Sequence, residues 1–235
     1  MSAGYVAPCV LGICDGSGFV VDDEARTATP CKCRAQIVSR RRASSLSAVV
    51  PKKYQGVSFD RHPVADMPDP VLRAIRGYLR NLGENLDLGK GIWFSGDVGT
   101  GKTTLAMLIA KTALEEGRSV AIYSLPRLLN EIRRTYEDGS ESNYVQLLDR
   151  LAVVDLLHVD DVGAEKTSPW VLEQLYAIVN ARYEAERAMV ITTNLGREAL
   201  VEQISERTVS RLEEMCQVIP VYGEDHRQVV GRQAS

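Results

Sequence analysis

The segment Gly96-Asp97-Val98-Gly99-Thr100-Gly101-Lys102-Thr103 fits the spacing G-x-x-x-x-G-K-[ST]. Glycines at these positions let the backbone curl until successive N–H groups converge, which is the geometry that holds a phosphate. A lysine closing the loop reaches the outer phosphates, and the adjoining threonine hydroxyl can ligate Mg²⁺. Thr104 completes the nucleotide-contacting set. Downstream, Asp155-Leu156-Leu157-His158-Val159-Asp160-Asp161 is an apolar run closed by two acids, with Asp160 fifty-eight positions beyond Lys102. Opposite a phosphate loop, Asp160 would hold Mg²⁺ and Asp161 would act as general base or orient the attacking water. Asp155 reads as structural and His158 as a satisfied core histidine.

Two further groups carry potential chemistry. Met189-Val190-Ile191-Thr192-Thr193-Asn194 is an apolar strand with a polar end, where Asn194 can bond the γ-phosphate or the attacking water. In Ser205-Glu206-Arg207-Thr208-Val209-Ser210-Arg211 the arginines are four apart and share a helical face. One of them supplied across a subunit boundary would neutralise transition-state charge, while the other pairs locally with an acid. Arg227 is placed to reach the phosphates from within its own chain.

Four of the five cysteines lie at Cys9, Cys14, Cys31 and Cys33, as C-x4-C, sixteen residues, then C-x-C. In a reducing compartment that clustering points to metal rather than disulfides. Four thiolates close a tetrahedral zinc site, with Asp15-Gly16-Ser17-Gly18 as the turn. An iron–sulfur cluster or reduced thiols are the alternatives. Cys216 stands apart and reads as core.

Short apolar strands alternating with amphipathic helices must position these groups. Strands are expected at Gly91–Ser95, Ser119–Ser124, Asp155–Asp160, Ala188–Thr193 and Cys216–Val221. Helices are expected at Asp69–Asn81, Lys102–Glu116, Leu125–Tyr136, Ser142–Ala152, Pro169–Ala185, Arg197–Ile204 and Glu206–Glu213. Ser142-Asn143 offers an N-cap, and Pro169 suits a first helical position. This alternation predicts a parallel sheet covered by helices on both faces. The long interval between Lys102 and Asp160 predicts a further strand between their two strands in the sheet.

Three parts are expected along the chain: a cysteine-rich zinc-binding module at 1–38, a basic helix and linker at 39–55, and an α/β nucleotide-binding domain at 56–235. Residues 1–55 hold 8 Lys/Arg and 4 Asp/Glu, whereas 56–235 hold 20 and 27, so a net of +4 precedes one of −7. The two parts therefore meet different partners. Arg40-Arg41-Arg42 could touch nucleic acid or an acidic protein face, or be a solvated linker. No apolar run approaches the roughly 20 residues of a membrane-spanning helix, and the N-terminus lacks a secretory pattern. A cytoplasmic location without membrane contact is expected.

The motifs GDVGTGKTTLA (96–106), LLHVDDVGAE (156–165), ITTNL (191–195) and SERTVSRL (205–212), with the segment around Arg227, resemble the DnaC/DnaI-type helicase loaders. These belong to the AAA+ group that includes the IstB transposition helpers. Val50-Pro51-Lys52-Lys53-Tyr54 with Ser58-Phe59 resembles that family's entry into the ATPase domain, so the similarity spans about residues 50–228. Many relatives carry Glu where Asp161 stands. The resemblance implies an AAA+ P-loop ATPase, nearly lidless because only 41 residues follow Asn194. It assigns Arg207 as the trans finger, Arg227 as the second sensor and Arg211 as a supporting residue.

The implied activity is ATP-dependent loading of a replicative DnaB-type ring helicase onto single-stranded DNA, using ATP, Mg²⁺ and Zn²⁺ and self-associating with ATP. Hydrolysis is expected to be weak alone and stimulated by partner or DNA. Two alternatives are an IstB-like transposition helper and a zinc-bearing adaptor that uses nucleotide as a structural switch. The cysteine module favours the loader over the helper, and the intact set Lys102, Asp160, Asp161 and Asn194 disfavours the adaptor. Related initiation ATPases carry an inserted helical element at the place of Leu125–Tyr136 and Ser142–Ala152. There Arg133, Arg134 and Tyr136 offer phosphate contacts and a stacking surface for DNA. The other reading is a helix pair that only covers the sheet.

Overall fold

A computed structural model describes residues 9, 12–22, 27–34, 49–137, 141–164, 166–223, 225 and 226. Five parallel strands form the main sheet: β3 (Gly91–Ser95), β4 (Val120–Ser124), β5 (Leu156–Asp160), β6 (Ala188–Thr193) and β7 (Cys216–Pro220), in the order β4-β5-β6-β3-β7. β6 therefore lies between the strand that leads into the phosphate loop and the strand that ends in acids. A separate antiparallel pair, β1 (Phe19–Asp22) and β2 (Thr27–Pro30), separates the two cysteine pairs in sequence.

Successive strand side chains point to opposite faces, and here both faces are apolar. Trp93, Leu157, Val159, Met189 and Ile191 enter one core; Ile92, Phe94, Leu156, Ala188 and Val190 enter the other. This near-continuous apolar character belongs to a parallel sheet with helices on both sides. Over the second face lie α1 (Asp69–Arg80), α2 (Leu82–Asp87) and α3 (Lys102–Glu115). The first face is covered by α4 (Leu125–Glu137), α5 (Glu141–Val153), α6 (Pro169–Glu184), α7 (Arg197–Ile204) and α8 (Glu206–Met215).

Local chemistry explains the boundaries. Ser168 caps α6, its hydroxyl accepting from the Val171 amide at 3.3 Å, with Pro169 at the first helical position where no N–H is needed. α5 begins at Glu141, one residue ahead of the expected start. α2 was not foreseen: LGENLD is too short to display a helical period, and its burial of Leu82 and Leu86 sustains it.

Two buried polar residues fasten the layers. Arg182 is fully buried and donates to the backbone carbonyls of Leu151, Val154, Asp155 and Ala188, tying α6 to the end of α5 and to β6. Asp155 accepts from the Ser119 amide at 2.9 Å and hydroxyl at 2.7 Å, holding the starts of β4 and β5 in line. Cys216 is buried, and burial pushes its thiol up to about 12.

Candidate functional site

The phosphate loop turns from β3 into α3 with Gly99 at φ +83° and Gly101 at φ +89°, left-handed conformations that glycine adopts without steric cost. Lys102 is buried, and its ammonium donates to the carbonyls of Gly96 at 2.8 Å and Asp97 at 2.5 Å. Thr100 braces the loop by donating to the Asp97 carbonyl at 3.0 Å.

Beneath the loop, two strands and the first turn of α3 meet at one carboxylate. Asp160 Oδ1, at the end of β5, accepts from Thr103 Oγ1 at 2.9 Å and Thr192 Oγ1 at 2.7 Å. The Thr192 hydroxyl also accepts from the Asp161 amide at 2.9 Å, and its carbonyl accepts from the Val162 amide at 2.8 Å. Asp161 sits at φ +58°, a conformation costly for most residues and tolerated by Asp. Its amide thereby meets Thr192. A local φ outlier held by named bonds is characteristic of functional turns.

Burial pushes the Asp160 carboxyl up, but His158, Thr192 and Thr103 more than offset it, leaving its pKa below the ordinary value. The group therefore stays ionised and suited to a cation. His158 differs from expectation. It is fully buried, yet neither ring nitrogen has a hydrogen-bond partner; Nε2 lies 3.6 Å from Asp160 Oδ1. It acts on the carboxylate through space rather than being satisfied by the core.

Above the loop opens a cleft of about 490 Å³ that brings together Lys102, Thr103, Thr104, Asp161 and Asn194. Its remaining wall includes Tyr54, named above only for the resemblance of its segment, and His62, Pro63 and His226, which sequence reasoning did not single out. The His62 and His226 rings meet edge to face at 5.2 Å, and the His226 amide donates to the Gly99 carbonyl at 3.1 Å. Residues more than 160 positions apart converge here, so no local pattern announces them.

The arginines of α8 do not line this cleft. The Arg207 guanidinium lies 4.6 Å from the Tyr176 ring centre on α6, and the residue is exposed. Arg211 lies over the same ring at 5.0 Å and donates to the Asn180 side-chain carbonyl at 2.7 Å. Its local partner is therefore an amide and aromatic faces rather than the expected acid. Arg227, Glu165 and Arg40–Arg42 fall outside the described residues.

On the α4–α5 pair, Arg133 stacks over Trp170 at 4.8 Å, and Tyr136 stacks on Tyr144 with ring centres 5.0 Å apart at 29°. Arg134 is exposed. Two of the three candidate DNA contacts thus already touch aromatic neighbours, while Tyr136 remains half exposed at 49%.

The sulfurs of Cys9, Cys14, Cys31 and Cys33 all lie within 4.8 Å of one another, with Cys9–Cys31 at 4.0 Å and Cys14–Cys33 at 3.5 Å. A tetrahedral zinc with bonds of about 2.3 Å requires sulfur separations of about 3.8 Å, so the residues fit that ion. Burial and the neighbouring sulfurs push the Cys33 thiol above its ordinary range, a cost that a bound cation reverses. Glycines at φ +63°, +94° and +84° (Gly12, Gly16, Gly18) form the turns around the first pair.

A β4-β5-β6-β3-β7 sheet with a phosphate loop after β3, acids after β5 and a polar end on the intervening β6 defines the AAA+ class of P-loop proteins. The chain belongs to the IstB-like ATP-binding protein family, whose model matches residues 84–234. Among curated relatives, the replicative helicase loader DnaC of Buchnera aphidicola (strain APS, from Acyrthosiphon pisum) is 28% identical over 160 residues. The match takes in 68% of this chain and 64% of that protein, so the chain spans less than two thirds of the relative's length. The crystal structure of the DnaC helicase loader is 27% identical with a TM-score of 0.60, covering 72% of this chain and 99% of that one. The DnaI crystal structure shares the fold, with a TM-score of 0.62 at 24% identity over 79% and 100% of the two chains.

Proposed function

We propose that this chain is an ATP-hydrolysing loader that places a replicative DnaB-type ring helicase on single-stranded DNA in the cytoplasm. The observation that carries the reading is the Thr103–Asp160–Thr192 cluster under a cleft that gathers Lys102, Asp161 and Asn194. It supports a working hydrolytic centre rather than a nucleotide used only as a structural prop. The likeness to the DnaC loader along almost all of its solved chain supports the helicase as client.

Gly96 to Thr104 would cradle the phosphates, with Lys102 exchanging the Gly96 and Asp97 carbonyls for phosphate oxygens. Thr103 and Asp160 would hold Mg²⁺, which when bound neutralises charge on the phosphoryl group. Asp161 takes the proton of the attacking water, and Asn194 orients that water. Thr192 is a positioning residue, aligning both acids at once through one hydroxyl. Arg207 serves the cleft of the next subunit, and Arg227 serves its own; a finger of this kind contributes factors of about 10³–10⁵ in other phosphoryl-transfer systems. The absence of Arg207 and Arg211 from the cleft lining supports action in trans.

Cys9, Cys14, Cys31 and Cys33 would hold zinc in a module at 1–38 that grips the helicase. A basic linker at 39–55 would join it to the AAA+ domain at 56–235. Arg133, Arg134 and Tyr136 are the proposed strand contacts of the α4–α5 pair.

The test is reconstitution. Full chain, cognate ring helicase, ATP and a closed single-stranded circle are mixed, and helicase bound to the circle is measured. Transfer that needs ATP and fails with Lys102→Ala supports a loader. Bending of duplex DNA without helicase transfer would favour the transposition-helper reading instead.

A further inference from the structure

A second concavity lies away from the nucleotide cleft. The segment Val57–Asp60, the outer face of α1 and the C-terminal half of α3 enclose a groove of about 820 Å³. Its floor includes Val57, Leu79 and Leu108, and its rim carries Arg73, Arg76, Arg80 and Lys111 against Asp60 and Glu115. The three arginines are exposed and follow the spacing i, i+3, i+7, which confines them to about 60° of the helix circumference. Arg73 and Arg80 are separated by about 10.5 Å along the axis, so their long side chains can reach two separate phosphates of an extended strand.

Two of the four rim cations have their charge unspent. Glu115 is engaged by Lys111 at 3.8 Å, and Lys111 also donates to the Val57 carbonyl at 3.0 Å. No ion pair or hydrogen bond engages Arg73 or Arg80 among the described residues. Arg76 lies over the Phe59 ring at 4.6 Å, a flat cation-on-aromatic platform of the kind on which bases stack. Residues 56–235 carry a net charge of −7, so four cations against two acids reverse the surrounding sign.

From the cationic rim, the apolar floor and the Arg76–Phe59 platform we infer that this groove binds the phosphate backbone of single-stranded nucleic acid, with bases against the platform. An acidic protein face would satisfy the arginines but leave the platform and floor without a function. The inference rests on the single-strand reading above and adds a second surface to the α4–α5 pair. α3 carries the phosphate loop at its first residue and this groove at its other end. Lys102 and Lys111 are about 13.5 Å apart along that helix, so one rigid element adjoins both ligands.

The experiment uses the full chain with ATP and Mg²⁺ and a fluorescent oligothymidylate titrated at several salt concentrations. Arg73→Glu with Arg80→Glu should weaken strand binding at least tenfold. It should also lower the log–log salt slope by about 1.4, two phosphate contacts at about 0.7 each. Nucleotide affinity should not change. Arg73→Lys with Arg80→Lys should keep the slope, showing that charge rather than folding is at issue. Wild-type binding that the double Glu variant retains in full would overturn the groove while leaving the single-strand reading intact. A wild-type chain that binds no strand would overturn both. Loss of helicase capture with strand affinity preserved would reassign the groove to an acidic protein face.

Discussion

The cysteine hairpin and the α/β core are ordered by different physics. Around β1 and β2 the strands are short, every residue of β2 is exposed, and the buried side chains are chiefly the sulfurs of Cys31 and Cys33. Among the described residues so small an apolar content does not offset the entropy of ordering the chain, and four thiolates this close would repel one another without a cation. The core buries both faces of a five-stranded sheet and holds few polar residues, of which Arg182 and Asp155 are tied to backbone groups. If the four thiols hold an ion as proposed, one region depends on that ion and the other on packing, so each should fail independently of the other.

The largest separation should come from metal removal. A strong chelator, or Cys31→Ser with Cys33→Ser, should abolish amide-exchange protection in residues 12–22 and 27–34, because binding and folding are one step in so small a module. The melting temperature of the core should move by no more than about 2 °C. Elemental analysis of protein purified without chelator should find one zinc per chain. Iron, or no metal, would contradict the zinc assignment.

Arg182→Met is the complementary lesion. It leaves the carbonyls of Leu151, Val154 and Ala188 without their donor, at about 1–3 kcal/mol for each unsatisfied buried group. With partial relaxation, a loss of about 3–5 kcal/mol is expected in denaturant titration. Zinc content should stay at the wild-type level. Parallel loss of zinc would show that the two regions fold as one unit.

A smaller effect isolates chemistry from stability within the core. Thr192→Val keeps shape but removes the hydroxyl that aligns Asp160 and Asp161. Turnover should fall at least tenfold, about 1.4 kcal/mol of transition-state stabilisation, with ATP affinity within about twofold. Thr192→Ser should restore it. Equal loss in the Ser variant would indicate that packing of the methyl group, rather than the hydroxyl, is what matters.

The same contrast governs what could be read in advance. The core strands are legible because each is a short, largely apolar run, and the phosphate loop because its chemistry is local. The expected strand between β3 and β5 is β6, announced by its apolar run with a polar end, whereas the strand inside the interval from Lys102 to Asp160 is β4, at the sheet edge. β1 and β2 have no alternation to reveal them, since TATP has no buried face. Thr192 looks like an ordinary strand residue until β5 is laid beside β6, and the role of Arg182 depends on carbonyls up to 31 positions away. Tyr54, His62 and His226 belong to the cleft only through the tertiary fold. The alternation that makes His158 a core residue says nothing about its missing hydrogen bonds, which depend on the particular atoms packed around it.

The central claim is that one subunit's cleft is completed by Arg207 from its neighbour, and a mixing experiment tests it most directly. Arg207→Ala should retain ATP affinity, lose at least tenfold in turnover and fail to form ATP-dependent oligomers. Lys102→Ala should lose nucleotide binding. Combined, the two chains can pair the intact loop of one with the intact arginine of the other, so ATPase activity should reappear above the sum of the separate variants. A mixture that stays inactive while both chains remain folded and still assemble would contradict the account, placing Arg207 in service of its own subunit and leaving Arg211 to act across the interface.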